Sequence, residues 1–320
     1  MNTPAVALVT ATFNRAELLP RVWESLRSES ALFEWIVVDD ASTDSTEAVV
    51  RAFRDPRIVF VSLKHNQGTN AARNAGVRAA RGQFVIFLDS DDELAPNALA
   101  SAMSSLEGAS PNIGALLMIA QPAFAPKHNA TLPDGEVLNE EDLVIRNRLR
   151  RDRAVIYRRA VFENQMLPEE FRGVEFVFVF GITRWWDYLV VNAPLTLVHR
   201  QNDNLSRPQS ITNNSRGIAE GWASVIRNHA IILRRHPFAR TNLYGRVIYR
   251  YAVAADRNAM WRTFHALRAD DPSLSTAIKG LAMIFAGTVG HWGGDHMRLR
   301  WIRFREERAQ LSRQQNPQLE

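Results

Sequence analysis

The chain has 320 residues, 46% of them hydrophobic, 23% charged and 9% aromatic, a balance that excludes a disordered or fibrous polypeptide and allows a full core. The absence of cysteine excludes disulfides, thiolate metal sites, iron–sulfur clusters and cysteine nucleophiles. Charge is uneven: residues 1–213 carry 22 Lys and Arg against 26 Asp and Glu, and residues 214–320 carry 17 against 8, which points to cation or sugar handling in front and an anionic partner behind.

Met1-Asn2-Thr3-Pro4 leads directly into an apolar strand pattern, so no secretory leader is expected. The apolar run Gly280–Gly290, at 11 residues, is shorter than the roughly 20 of a spanning helix. A cytoplasmic protein, either soluble or peripheral on the inner face of the plasma membrane, is the expectation.

In chain order, Ala5–Ala11 reads as a buried strand and Glu17–Leu26 as a helix with Leu18, Val22 and Leu26 on one face. Trp35–Val38 is a second strand; Ser42 and Thr43 are expected to cap the helix after it. Arg57–Leu63 is a third strand, Asn70–Ala80 a helix and Phe84–Leu88 a fourth strand, a strand–helix alternation that predicts parallel pairing. A helix from Pro96 to about Leu106, strands at Ile113–Ile119, Ala154–Tyr157 and Val190–Val198, and a helical piece at Arg159–Glu163 follow. Residues 214–269, 273–290 and 295–311 read as helical.

The polar clusters fall at the carboxyl ends of predicted strands, where open α/β sheets bind ligands. Thr12-Phe13-Asn14 follows the first strand, Asp39-Asp40 the second and Asp89-Ser90-Asp91-Asp92 the fourth. Each alone makes an ordinary turn or cap; three on one edge call for more. Asp89 and Asp91, two positions apart, can address one object, and their oxygens suit a hard divalent ion, Mn2+ or Mg2+, whose shell is completed by phosphate.

Thr12-Phe13-Asn14-Arg15, Ile36–Asp44, Asn66–Gly76 and Phe84–Asp92, in this order and spacing, resemble the family 2 glycosyltransferases of the GT-A fold. The resemblance is close over residues 5–95 and looser to about Arg207. It implies an α/β fold with a GT-A type, mostly parallel sheet flanked by helices. It divides the chain into a transferase domain at 1–213 (nucleotide-binding half 1–110, acceptor half 111–213) and a basic helical extension at 214–320. It implies that Asp40 accepts from a nucleobase N–H, that Phe13 flanks the base, and that Asp89 binds ribose and, with Asp91, the metal. Gly68, Arg73 and Asn74 would lie on the nucleotide, Arg73 pairing with the motif carboxylates or the diphosphate. Plainer readings stand beside these: Phe13 as core, Arg73 as a structural ion-pair partner, Asp39 as a loop organiser.

Leu167–Phe176 aligns with the family stretch ending in Gly-Glu-Asp, whose Asp is the general base; here the triplet is Gly173-Val174-Glu175, which puts Glu175 in that position, with Asp187, Glu170 and Glu169 as alternatives. A plainer reading has Glu175 complementing the N-terminal end of a helix. The family's Arg-x-His is replaced around His199-Arg200-Gln201-Asn202, leaving Arg200 as a candidate.

The implied activity is inverting transfer of a sugar from a nucleoside diphosphate sugar to a lipid-linked or saccharide hydroxyl acceptor, in cell-envelope polysaccharide or glycolipid synthesis. A nucleotide-binding or scaffolding protein that has lost catalysis is the alternative. The basic, Trp-containing residues 214–320 imply an anionic membrane surface as partner, or a helical subdomain whose arginines are merely solvated. No nucleic-acid module is present, and no G-x-G-x-x-G follows the first strand.

Overall fold

A computed structural model describes residues 4–29, 32–122, 132–148, 153–170, 173–199 and 211–288. The chain divides into two compact units, Met1–Ser206 and Arg207–Glu320.

In the first unit the apolar runs become β1 (Val6–Thr12), β2 (Phe33–Asp39), β3 (Ile58–Ser62) and β4 (Phe84–Phe87), alternating with α1 (Leu19–Arg27), α2 (Thr46–Ala52) and α3 (Thr69–Ala79). These four strands are parallel in the order β3-β2-β1-β4, as the alternation predicts. There follow β5 (Glu93–Leu94), α4 (Ala98–Leu106), β6 (Ile113–Pro122), β7 (Val137–Leu138), β8 (Arg153–Arg158), α5 (Val161–Asn164), α6 (Glu175–Gly181) and β9 (Asp187–Val198). The sheet continues through β8, antiparallel to β4 and β6, then β6, β9 and β5, with β7 beside β9. The two-residue strands β5 and β7 and the π-helical turn Glu141–Ile145 have no periodicity that a sequence reading can detect.

The core on one face stacks Trp23 on Trp35 at 5.7 Å and on Phe53 at 5.9 Å, and the buried Trp35 indole donates to Thr10 Oγ1 at 2.9 Å. A carboxylate is buried in the same sheet. Glu34, 1% exposed, accepts from the Arg81 and Gly82 backbone N–H groups at 2.6 and 2.9 Å and from Arg81 Nε at 3.0 Å. Glu34→Ala removes the acceptor of two backbone donors at the entry to β4; a loss of about 2–4 kcal/mol in chemical denaturation is expected, with Glu34→Gln retaining part of it.

Two local expectations change. Ser42 and Thr43 do not cap α2: Asp44 Oδ1 accepts from the Thr46 N–H at 3.0 Å, while Ser42 and Thr43 are tied to Asn14. The helical stretch 214–269 is broken into α7 (Ile211–Asn228), α8 (Ala230–Arg235), α9 (Pro237–Val253) and α10 (Arg257–Asp270). Pro237 starts α9 without an N–H, and Asp256 caps α10 by accepting from Ala259 N at 3.0 Å. A further helix, α11, spans 274–288; the expected helix at 295–311 lies outside the described residues.

Candidate functional site

Because β1, β2 and β4 are parallel neighbours, their following loops share one edge of the sheet. Asn14, with φ of +52°, stitches two of those loops. Its N–H donates to Ser42 Oγ at 2.9 Å, and its Oδ1 accepts from the Thr43 N–H at 2.8 Å. Asp39 organises its own turn, its Oδ1 accepting from Ser42 N at 3.0 Å. Phe13, beside Asn14, is 44% exposed, so it is not a core residue.

Asp40, 4% exposed, accepts from the Gln67 and Gly68 N–H groups at 2.7 and 2.8 Å. It thereby fixes the start of α3, where Gly68 takes φ of +91°, a conformation open to glycine and strained for other residues. A Cβ at Gly76 would run into Val9 and Val38, so glycine there lets α3 lie directly on β1 and β2. α3 thus delivers Arg73 to the β4 loop. The Arg73 guanidinium is held over the Phe87 ring, 5.3 Å from its centroid, with Nη2 2.7 Å from Asp89 Oδ1 and Nη1 3.9 Å from Glu175 Oε1. Asp91 has its own cation: Oδ2 lies 3.2 Å from Arg15 Nη1, which also donates to Ser90 Oγ at 3.1 Å.

Glu175 opens α6, within the first turn where a carboxylate also favours the helix dipole. The segment before it is pinned to α3. Asn74, 1% exposed, donates to the Leu167 carbonyl at 2.9 Å and to Glu169 Oε1 at 2.6 Å, and accepts from the Leu167 N–H at 3.1 Å. Asn70 donates to the Pro168 carbonyl at 2.8 Å. The Asn74 carboxamide, expected on the nucleotide, is committed to the chain itself. Of the alternative bases, Glu169 is occupied by Asn74, and Glu170 is exposed. Asp187 stands at the start of β9, hydrogen-bonded to Asn112 and at the opposite end of that strand from the site.

Arg73, Asp89 and Glu175 face a cavity of about 300 Å³, together with Asp92, Tyr157 and Thr196. Phe13, Asp40, Gly68, Asn74 and Asp91 lie outside that cavity's lining, and Arg200 lies outside the described residues. Sequence reasoning passed over Arg153 and Tyr157, which also line it. The expected strand, Ala154–Tyr157, stops one residue short of Arg153; along β8 the two-residue period puts Arg153, Val155 and Tyr157 on one face. Among the described residues, no three His, Asp or Glu side chains are grouped to hold a metal ion by themselves.

Asp92 is partly buried beside this edge. Burial, opposed by the His199 N–H and reinforced by the charges of Asp89 and Asp91, raises its carboxyl from the usual 3.8 to about 7. Between these two values the native state holds a proton that the unfolded chain has lost, so this group makes the protein less stable as pH rises from about 4 to about 7. Asp92→Asn keeps the acceptor for His199 and removes the ionisation. Its advantage over wild type should grow through that window, to roughly 1–2 kcal/mol at pH ~8 after discounting for solvent screening, as measured by denaturation at the two pH extremes.

The geometry meets known proteins at several points. Residues 7–163 match the family described as Glycosyl transferase family 2. The chain is 31% identical over 179 residues to the GalNAc(5)-diNAcBac-PP-undecaprenol beta-1,3-glucosyltransferase of Campylobacter jejuni, covering 54% of this chain and 57% of that protein. It is 41% identical over 111 residues to the succinoglycan biosynthesis protein ExoO of Rhizobium meliloti, covering 34% and 32%. The chain thus spans from about a third to somewhat over half the length of these relatives. Among solved structures, residues 1–349 of Staphylococcus aureus TarS in complex with UDP-GlcNAc align with a TM-score of 0.60 at 20% identity, over 90% of this chain and 92% of that one. The mannosyltransferase PcManGT from Pyrobaculum calidifontis, in complex with GDP-Man and Mn2+, aligns with a TM-score of 0.53 at 19% identity, over 92% and 89%. Likeness at these identities shows the common fold, a sheet flanked by helices with a helical C-terminal region. The family match runs from β1 to α5 and takes in every strand-end motif from Thr12 to Asp92, and over these residues the chain belongs to glycosyl transferase family 2.

Proposed function

We propose that this chain transfers a sugar, with inversion, from a nucleoside diphosphate sugar to a hydroxyl group of a lipid-linked or saccharide acceptor, in the synthesis of a cell-envelope polysaccharide or glycolipid. The observation that carries the reading is Arg73, which stands between Asp89 of the strand-end motif and Glu175 of the acceptor half at the mouth of one cavity. The family match, the UDP-GlcNAc complex of the structural neighbour TarS and the undecaprenol-linked name of the C. jejuni relative support it.

In this reading Glu175 takes the proton of the acceptor hydroxyl as its oxygen attacks the anomeric carbon on the face opposite the departing diphosphate. Arg73 lies between the like charges of Asp89 and Glu175, offsets their repulsion and offers the diphosphate a planar donor. Asp40 retains lone pairs beyond its two backbone bonds with which to accept from a base. Phe13 supplies an exposed ring beside it. Asp91 and Asp89 are hard oxygen donors flanked by Arg15 and Arg73, a donor set that fits a Mn2+ or Mg2+ ion taking the rest of its shell from phosphate oxygens and water. When bound, such an ion offsets charge on the leaving diphosphate.

Nucleoside diphosphate release from UDP-, GDP- and dTDP-sugars, with and without Mn2+, tests the reading without a known acceptor. Wild type should turn over one donor in a Mn2+-dependent manner, and Asp91→Ala should lose about 10²-fold or more. Equal turnover by both proteins, or no turnover of any donor, counts against it.

A further inference from the structure

We infer that the outer face of α11, with Phe238 beside it, is a docking surface for an anionic lipid bilayer; this deepens the proposed reading of an acceptor at a membrane and rests on it. α11 is apolar on both sides. Its inner side packs on the helical core through Met283 and Ile284, with Gly280 against Phe264 and Gly287 against Ala252 and Tyr249. Its outer side carries Leu274, Ile278, Leu281 and Phe285, which are 76%, 58%, 49% and 72% exposed. Their spacing of four, three and four residues aligns them in one stripe along the helix. At the start of α9, Phe238 is 71% exposed and meets α11 through Lys279, whose Nζ lies 5.1 Å from the ring centroid.

Solvated helices place polar side chains on the face opposite the core, and a continuous exposed apolar stripe marks a contact surface. The charge around it selects the partner. Residues 211–288 hold eleven Arg and Lys against four Asp and Glu, and the exposed Arg234 and Arg235 end α8, three residues before Phe238 in the next helix. Apolar side chains flanked by cations are what a helix lying in an anionic interface presents. No helix among the described residues is long and apolar enough to cross a membrane. A second copy of the chain fits less well. The five side chains expose on the order of 600 Å², short of the roughly 800 Å² per partner of a standard protein interface, and like-charged surfaces would face each other.

The test is flotation of the full chain with phosphatidylcholine vesicles and with vesicles also containing phosphatidylglycerol, at low and high salt. Wild type should float with the anionic vesicles and dissociate in salt. Leu281→Glu/Phe285→Glu, which alters only exposed positions, should lose binding about tenfold or more, with unchanged thermal unfolding and unchanged nucleotide-sugar hydrolysis. Failure of wild type to float, or equal flotation of the variant, would overturn the assignment. So would a dimer in light scattering that this variant dissociates, since the face would then belong to a second copy. Hydrolysis is the independent readout: its absence with variant-sensitive flotation removes the enzyme and leaves the docking surface, and the converse removes only the surface.

Discussion

Glu175→Gln is expected to reduce sugar transfer by about 10²–10⁴-fold while leaving donor affinity within a few-fold of wild type. The substitution preserves length and shape and removes only the ability to take a proton. Arg73 keeps its 2.7 Å contact with Asp89, so the donor side of the cavity is undisturbed. The loss should appear in kcat at saturating donor and acceptor. Glu175→Asp should retain the chemistry but withdraw the carboxylate by one methylene, giving an intermediate rate. A Glu175→Gln enzyme within a few-fold of wild type in transfer would move the base elsewhere. The next candidate is Glu170, because Glu169 is held by Asn74 at 2.6 Å.

The second large effect is expected at Asn74. Its side chain satisfies both backbone groups of Leu167 from a site 1% exposed, and no water can replace it without a cavity. Asn74→Ala leaves a buried N–H and a buried carbonyl unpaired and should lower stability by about 2–4 kcal/mol. Because Leu167 leads into the segment that ends at Glu175, transfer should fall more than nucleotide binding does. Asn74→Asp separates these roles. It keeps an acceptor for the Leu167 N–H but sets a carboxylate against the Leu167 carbonyl and Glu169. Its stability deficit should therefore be largest at neutral pH and shrink as the new carboxyl takes a proton on acidification. A pH-independent deficit would show that the defect is packing alone.

The parallel half of the sheet was legible because each strand is an apolar run that stops at a polar cluster: Ala5–Ala11 was expected and Val6–Thr12 is found. The convergence of Thr12, Asp39 and Asp89 on one edge follows from that topology. The other half was less legible. β8 lies between β4 and β6 with reversed direction, a long-range pairing that no local period encodes. Side-chain partners were the least legible part. Asn74 and Arg73 are neighbours in one motif, yet one faces the chain and the other the cavity, because successive helical residues are turned about 100° from each other. Asp40 was read as a group facing a ligand, and its first partners are the N–H groups that shape the α3 start. Gly76 carried a readable signal, a glycine inside a helix, whose meaning emerges only with β1 beneath it.

The central claim is that the carboxyl edge of β1, β2 and β4 binds a nucleoside diphosphate with a divalent ion. Calorimetric titration of UDP, GDP and dTDP into the protein, with and without Mn2+, tests it most directly. The account predicts binding of one of them at micromolar affinity, strengthened by Mn2+ and lost in Asp89→Ala/Asp91→Ala. No binding of any of the three by wild type, or binding unaffected by that double substitution, would contradict it.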